Sequence, residues 1–129
     1  MSKEKGLTIL IVDDEPTCVT FLLHILRDTK HTILVAKNGQ SAIDTAVLEL
    51  PDLILSDIDM PNMNGYELIT ALKQIEETKN IPLIFVTSRA NPEEIKKGLS
   101  MGAVDYLIKT SGIENIQTRV QAQINKLLQ

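Results

Sequence analysis

The chain has 129 residues, of which 43% are hydrophobic, and a formal net charge of −4. Its length suits one domain, and a mildly acidic chain with 3% aromatic residues lacks the positive charge and the stacking side chains that nucleic-acid binding uses. No apolar run is long enough to span a membrane, the charged start MSKEKG does not resemble a signal peptide, and the lone Cys18 excludes an internal disulfide, so we expect a cytoplasmic protein.

Strand-like and helix-like segments alternate along the chain. Runs rich in Ile, Leu and Val predict five strands, at residues 8–12, 32–36, 53–56, 83–87 and 104–108. Between them apolar residues recur with helical spacing, and Pro16 and Pro92 suit the first turns of two of these helices.

This alternation predicts an α/β fold of the (βα)₅ type, with helices on both faces of a parallel sheet. The natural arrangement for five units is the flavodoxin-like three-layer sandwich with strand order 2-1-3-4-5. We expect residues 1–6 to form an N-terminal tail and residues 7–129 to form the domain.

Polar residues gather where the predicted strands end. Strand 1 is followed by Asp13 and Asp14, strand 3 by Asp57 and strand 5 by Lys109, and strand 4 ends at Thr87. In such sheets ligands bind beyond the carboxyl ends of the strands, where the strand order reverses, here between strands 1 and 3. We therefore expect these side chains to form one site.

Three carboxylates in one crevice repel one another and raise the pKa of at least one of them unless a cation binds. A site rich in hard oxygen ligands suits Mg²⁺. A phosphoryl group would add further oxygens, which Lys109 and the Thr87 hydroxyl could hold, and Asp57 would then be placed as a nucleophile on phosphorus.

Taken singly, these residues have simpler interpretations. Asp13 and Asp14 could cap a helix, and Asp57 could belong to an ordinary turn. Lys109 and Thr87 are unremarkable when considered alone, and Cys18 is expected to be a small, inert packing residue. The coincidence of four such positions at one rim of the sheet favours the site.

Four segments match the pattern of a known family: IVDDEP at 11–16, LSDIDMPNMNGYEL at 55–68, VTSR at 86–89 and GAVDYLIKT at 102–110. Over residues 7–128 the chain resembles the receiver domains of two-component response regulators, particularly those of the chemotaxis type. The resemblance implies that Asp57 accepts a phosphoryl group from a sensor histidine kinase, a phosphotransfer protein or acetyl phosphate, and that Lys109 contacts that group.

The same resemblance implies the metal, the switch and the partners. Mg²⁺, or Mn²⁺, would be bound by Asp13, Asp14, Asp57 and the backbone carbonyl of Asp59. Thr87 and Tyr106 would form a switch in which Tyr106 turns inward on phosphorylation. A downstream protein or a second copy would bind the surface of helix 4, strand 5 and helix 5, without direct contact with nucleic acid or membrane.

The chain also departs from the family pattern. Thr110 follows Lys109 where receivers usually have proline, and Asn64 stands where aspartate is common. Asp59 and Arg89 each lie two residues after a site residue, and we expect them to form an ion pair across the mouth of the pocket that slows loss of the phosphoryl group.

Two other functions use similar residues. A phosphatase of the haloacid-dehalogenase type also has an Asp-x-Asp motif after a strand, but in that family this motif precedes the acidic pair, whereas here Asp13 and Asp14 come first. A pseudo-receiver that only binds partners would not need Asp57 and Lys109. The favoured function is a signalling phosphoacceptor that assists its own phosphorylation and dephosphorylation; whether it stands alone or forms part of a longer protein is left open.

Overall fold

The computed structural model of the protein describes residues 6–27 and 30–129. The strands are β1 (Thr8–Val12), β2 (Thr32–Ala36), β3 (Leu53–Ser56), β4 (Leu83–Thr87) and β5 (Asp105–Ile108). The helices are α1 (Pro16–Ile25), α2 (Gly39–Glu49), α3 (Gly65–Lys73), α4 (Pro92–Ser100) and α5 (Ile113–Leu128), with a 3-10 turn at Lys109–Ser111. Strand 5 begins one residue later than predicted, and residues 1–5 of the expected tail lie outside the described residues.

All strand pairs are parallel, and the strand order is β2-β1-β3-β4-β5. This confirms the predicted flavodoxin-like topology. The side chains of β1 alternate between two cores, because Leu10 packs with α2 and α3 whereas Ile9 and Ile11 pack with α1 and α5. The sheet is therefore buried on both faces, as its continuous apolar strands require.

Two glycines allow helices to lie close to the strands that carry the site. A Cβ atom on Gly65 would lie 2.5 Å from the carbonyl oxygen of Asp57, so α3 begins directly against the end of β3. A Cβ atom on Gly98 would lie 2.9 Å from the Tyr106 ring, so α4 packs tightly against β5. In the part of the chain that the structure describes, none of the helices has the length and apolarity needed to cross a bilayer.

Candidate functional site

The ends of β1 and β3 bring three carboxylates together. Val12 pairs with Ser56 across the sheet, and the N–H of Asp57 donates to the Val12 carbonyl at 2.9 Å. As a result, one carboxylate oxygen each from Asp13, Asp14 and Asp57 lie within 4.8 Å of one another. Asp13 and Asp57 are 1% and 6% exposed, whereas Asp14 faces solvent.

Helix capping does not account for the acidic pair. The N-cap residue of α1 is Glu15, and no side-chain cap bond is found there among the described residues. Instead, Asp13 Oδ1 accepts the N–H of Glu15 at 3.0 Å, which orients the Asp13 carboxylate. Asp57 Oδ1 accepts the N–H of Ile58 at 2.7 Å, and this bond fixes one carboxylate oxygen of Asp57.

Lys109 completes the crevice formed with Asp13, Asp14 and Asp57. Its Nζ donates to Asp13 Oδ2 at 3.2 Å and to Asp57 Oδ2 at 3.4 Å, and its side chain is 16% exposed. Lys109 follows β5 directly, and the Lys109–Thr110 peptide bond is trans. The predicted lysine thus lies beside the predicted nucleophile without the proline that usually follows it.

The charges in the crevice are not balanced. Burial raises the pKa of Asp57 above its usual value; Lys109 opposes this effect, and the neighbouring charge of Asp13 adds to it. Burial lowers the pKa of Lys109, but its hydrogen bond with Cys18 and the charges of Asp57 and Asp13 outweigh burial and raise that pKa overall. Because the carboxylates outnumber the lysine, a further cation would stabilise the ionised site.

Cys18 differs from the sequence expectation. It is only partly buried, and its Sγ lies 3.0 Å from Lys109 Nζ and 3.3 Å from Glu15 Oε1. The expected packing role is therefore incomplete, because the partly buried thiol of Cys18 also contacts Lys109 at the rim of the crevice. Burial raises the pKa of the thiol, which agrees with the expected lack of reactivity.

The two predicted switch residues lie on the side of the sheet covered by α3 and α4. Thr87 is fully buried, and its Oγ1 accepts the N–H of Arg89 at 3.3 Å. Tyr106 is 4% exposed, and its hydroxyl donates to the Arg89 carbonyl at 3.0 Å. The Tyr106 ring is thus already inward in this structure, so an inward turn from an outward position is not what the structure displays. Leu107 is buried against the opposite face, as the alternation of a strand predicts.

The structure also brings Asp59 and Arg89 together. Arg89 Nε lies 2.9 Å from each carboxylate oxygen of Asp59, and Arg89 NH2 donates to Asp59 Oδ1 as well. We call this pair the pocket mouth. The Arg89 side chain is 41% exposed and the Asp59 side chain is 47% exposed. The hydrogen bonds from Arg89 lower the pKa of Asp59.

Sequence reasoning missed two contacts of site residues. One is Cys18 on Lys109, and the other is Glu94, whose Oε1 lies 3.3 Å from Arg89 NH1. Glu94 lies in the first turn of α4, where an acidic residue is common for its effect on the helix dipole alone. No local signal therefore distinguishes Glu94 from its neighbour Glu93.

Comparisons with known proteins identify the family and the fold of the chain. The family model of the response regulator receiver domain matches residues 9–121. Protein PilH of Pseudomonas aeruginosa is 38% identical over 114 residues, which cover 88% of this chain and 94% of that protein. A probable cyclic di-GMP phosphodiesterase of Vibrio cholerae is 39% identical over 117 residues, which cover 91% of this chain but only 26% of that protein. The solved structure of the chemotaxis response regulator CheY4 of Vibrio cholerae superposes with a TM-score of 0.83 at 28% identity and covers 92% of this chain and 98% of that one.

Proposed function

The chain belongs to the response regulator receiver domain family, and from that premise we propose that residues 7–129 form a phosphoacceptor domain. Asp57 receives the phosphoryl group from a sensor histidine kinase, from a phosphotransfer protein or from acetyl phosphate. The observation that supports this most directly is the convergence of Asp13, Asp14, Asp57 and Lys109 in one crevice at the carboxyl edge of the sheet.

The acidic cluster fits a magnesium ion. Its three carboxylates offer only oxygen ligands, within 4.8 Å of one another, and Mg²⁺ prefers such ligands. Asp13, Asp14, Asp57 and the backbone carbonyl of Asp59 would hold Mg²⁺ or Mn²⁺. When bound, the ion supplies positive charge that stabilises the phosphoryl group during transfer.

The protein's own residues place the reacting groups. A bond forms between an Asp57 carboxylate oxygen and phosphorus, while the bond from phosphorus to the histidine nitrogen of the donor, or to the acetate oxygen, breaks. Lys109, 3.4 Å from Asp57 Oδ2, balances charge on a phosphoryl oxygen. Thr87 Oγ1 accepts the N–H of Arg89, which leaves its own O–H to donate to another oxygen.

Phosphorylation of Asp57 changes the partner-binding surface through the segment between Thr87 and Arg89. Tyr106 donates to the Arg89 carbonyl, so a shift of Thr87 toward a phosphoryl group also changes the support of the Tyr106 ring. Receiver domains interact with histidine kinases and downstream targets, and here the target, or a second copy, binds the face of α4, β5 and α5. Two states that differ by a few kcal/mol suffice for such a switch. The domain acts as a cytoplasmic signalling module without direct nucleic-acid or membrane contact.

The pocket mouth limits the approach of water to the phosphoryl group. Hydrolysis of an acyl phosphate needs a water molecule in line with the leaving carboxylate. Asp59 follows the nucleophile by two residues, and Arg89 reaches across to it from the end of β4. The pair therefore slows loss of the phosphoryl group.

Incubation with acetyl phosphate and Mg²⁺, followed by intact-protein mass spectrometry, tests the phosphoacceptor function. The wild type should gain one phosphoryl group. The Asp57→Asn variant should remain unlabelled over the time in which the wild type reacts. Asp44→Asn is the matched control, because Asp44 is an exposed aspartate on α2 outside the crevice. Equal labelling of the wild type and Asp57→Asn would refute the assignment, and multiple turnover of a small phosphoester would favour the phosphatase instead.

A further inference from the structure

The guanidinium group of Arg89 is held on two sides. Its Nε and NH2 bind Asp59, whereas its NH1 lies 3.3 Å from Glu94 Oε1. The same Glu94 oxygen accepts the hydroxyl of Tyr66. Residues from α3 and α4 thus meet at the corner of the guanidinium that faces away from Asp59.

Tyr66 supports Glu94 from a buried position. It is 6% exposed, and its ring lies edge-on against Phe85 with the centroids 5.7 Å apart. Lys97 Nζ lies 4.2 Å from the centre of the Tyr66 ring. Burial and the neighbouring Glu94 raise the pKa of Tyr66, so its hydroxyl remains a hydrogen-bond donor at neutral pH.

We propose that Glu94, held by Tyr66, is a positioning residue that keeps Arg89 paired with Asp59 in the pocket mouth and thereby prolongs the life of the phosphoryl group on Asp57. This rests on the proposed function of Asp57. An arginine side chain has several rotatable bonds, and Asp59 alone restrains only one edge of the guanidinium. The contact of Glu94 with NH1 limits rotation of the guanidinium away from Asp59. Asp59 lies 30 residues from Arg89 in sequence, so their pairing depends on such tertiary contacts.

A purely structural role for Glu94 has a matched control. Glu93 and Glu94 both lie in the first turn of α4, where the negative charge of either residue interacts favourably with the helix dipole. Glu93 is exposed, and its side chain makes no ion pair or hydrogen bond with the rest of the described chain. Glu93→Gln therefore reproduces the change in helix charge without the contact to Arg89.

The first measurement needs no phosphorylation. The order parameter of the Arg89 Nε–H group, from ¹⁵N relaxation, should fall in Glu94→Gln and, to a smaller extent, in Tyr66→Phe. It should stay at the wild-type value in Glu93→Gln. An Arg89 side chain equally ordered in Glu94→Gln and in the wild type would overturn the positioning role.

The second measurement is the rate of phosphoryl loss after acetyl phosphate is removed. Glu94→Gln should accelerate the loss about two- to fivefold, the range expected from a partly exposed contact, and Tyr66→Phe should act in the same direction. In an Arg89→Ala background, Glu94→Gln should add nothing. An unchanged rate in Glu94→Gln, or an acceleration that persists without Arg89, would overturn the proposal. A protein that takes up no phosphoryl group would instead refute the function of Asp57, and the Arg89 order parameter would then decide the positioning role by itself.

Discussion

Replacing Lys109 by methionine should reveal how strongly the crevice depends on its one lysine. Methionine keeps much of the length of the side chain and removes the ammonium group. Asp13 and Asp57 then remain as buried carboxylates without the cation that lies 3.2 and 3.4 Å from them. We expect a less stable protein, because an uncompensated buried charge costs more than a broken surface contact.

The magnitude follows from the distances. At an effective dielectric constant of about 20, each lysine–carboxylate contact amounts to about 5 kcal/mol before dehydration is counted. Dehydration of the ammonium offsets much of this, and breaking a buried pair costs about 3–5 kcal/mol in measured cases. Since the Lys109 side chain is 16% exposed, we expect a loss just below that range, about 2–3 kcal/mol at neutral pH.

The loss should depend on pH. Burial already raises the folded-state pKa of Asp57 above the reference value of 3.8, and Lys109 opposes that rise, so Lys109→Met should raise it further. For such a group the ionised form is the costly one, so the folded state is favoured below the unfolded pKa and loses stability as pH rises through the folded pKa. The difference between variant and wild type should therefore shrink as the pH falls and Asp57 binds a proton.

Urea denaturation in EDTA at neutral pH, repeated at the lowest pH at which both proteins remain folded, measures this difference. Lys96→Met, at an exposed position on α4, is the matched control and should stay within about 0.5 kcal/mol of the wild type. Adding Asp57→Asn to Lys109→Met should restore part of the lost stability. When Mg²⁺ replaces EDTA, it should stabilise the Lys109→Met variant more than the wild type. A loss below about 0.5 kcal/mol, or one that is equal at both pH values, would refute the electrostatic reasoning.

Three further predictions concern the metal, the pocket mouth and α4. Asp14→Ala should weaken Mg²⁺ binding about tenfold or more by calorimetry, because it removes one of three carboxylates; an unchanged titration would place the metal elsewhere. Asp59→Asn and Arg89→Ala should each speed phosphoryl loss a few-fold and the double variant little more, whereas fully additive effects would show that the two act independently. Gly98→Ala should cost about 1–3 kcal/mol and shift the ring resonances of Tyr106, since the new Cβ would lie 2.9 Å from that ring; a variant with wild-type stability and spectra would contradict the tight packing of α4.

The architecture and the grouping of three site residues could be predicted from the amino-acid pattern alone. Apolar runs of strand length, separated by helical spacing and by breakers, leave few alternatives to a parallel sheet with helices on both faces. Once the strand order is set, residues that follow strands 1, 3 and 5 must meet at one edge of the sheet. The sequence therefore predicts that three residues lie close together, and the structure places Lys109 within contact distance of both Asp13 and Asp57.

The contacts that surround these residues could not be predicted in this way, because they join segments far apart in sequence. Cys18 contacts Lys109 across 91 residues of sequence, and Tyr66 reaches Glu94 across 28. The inward position of Tyr106 likewise depends on the close approach of α4 at Gly98. Periodicity specifies which face of a strand or helix a residue occupies. Which partner its side chain reaches depends on the spacing of the packed elements and on the rotamers that this spacing permits, and neither is encoded in any one segment.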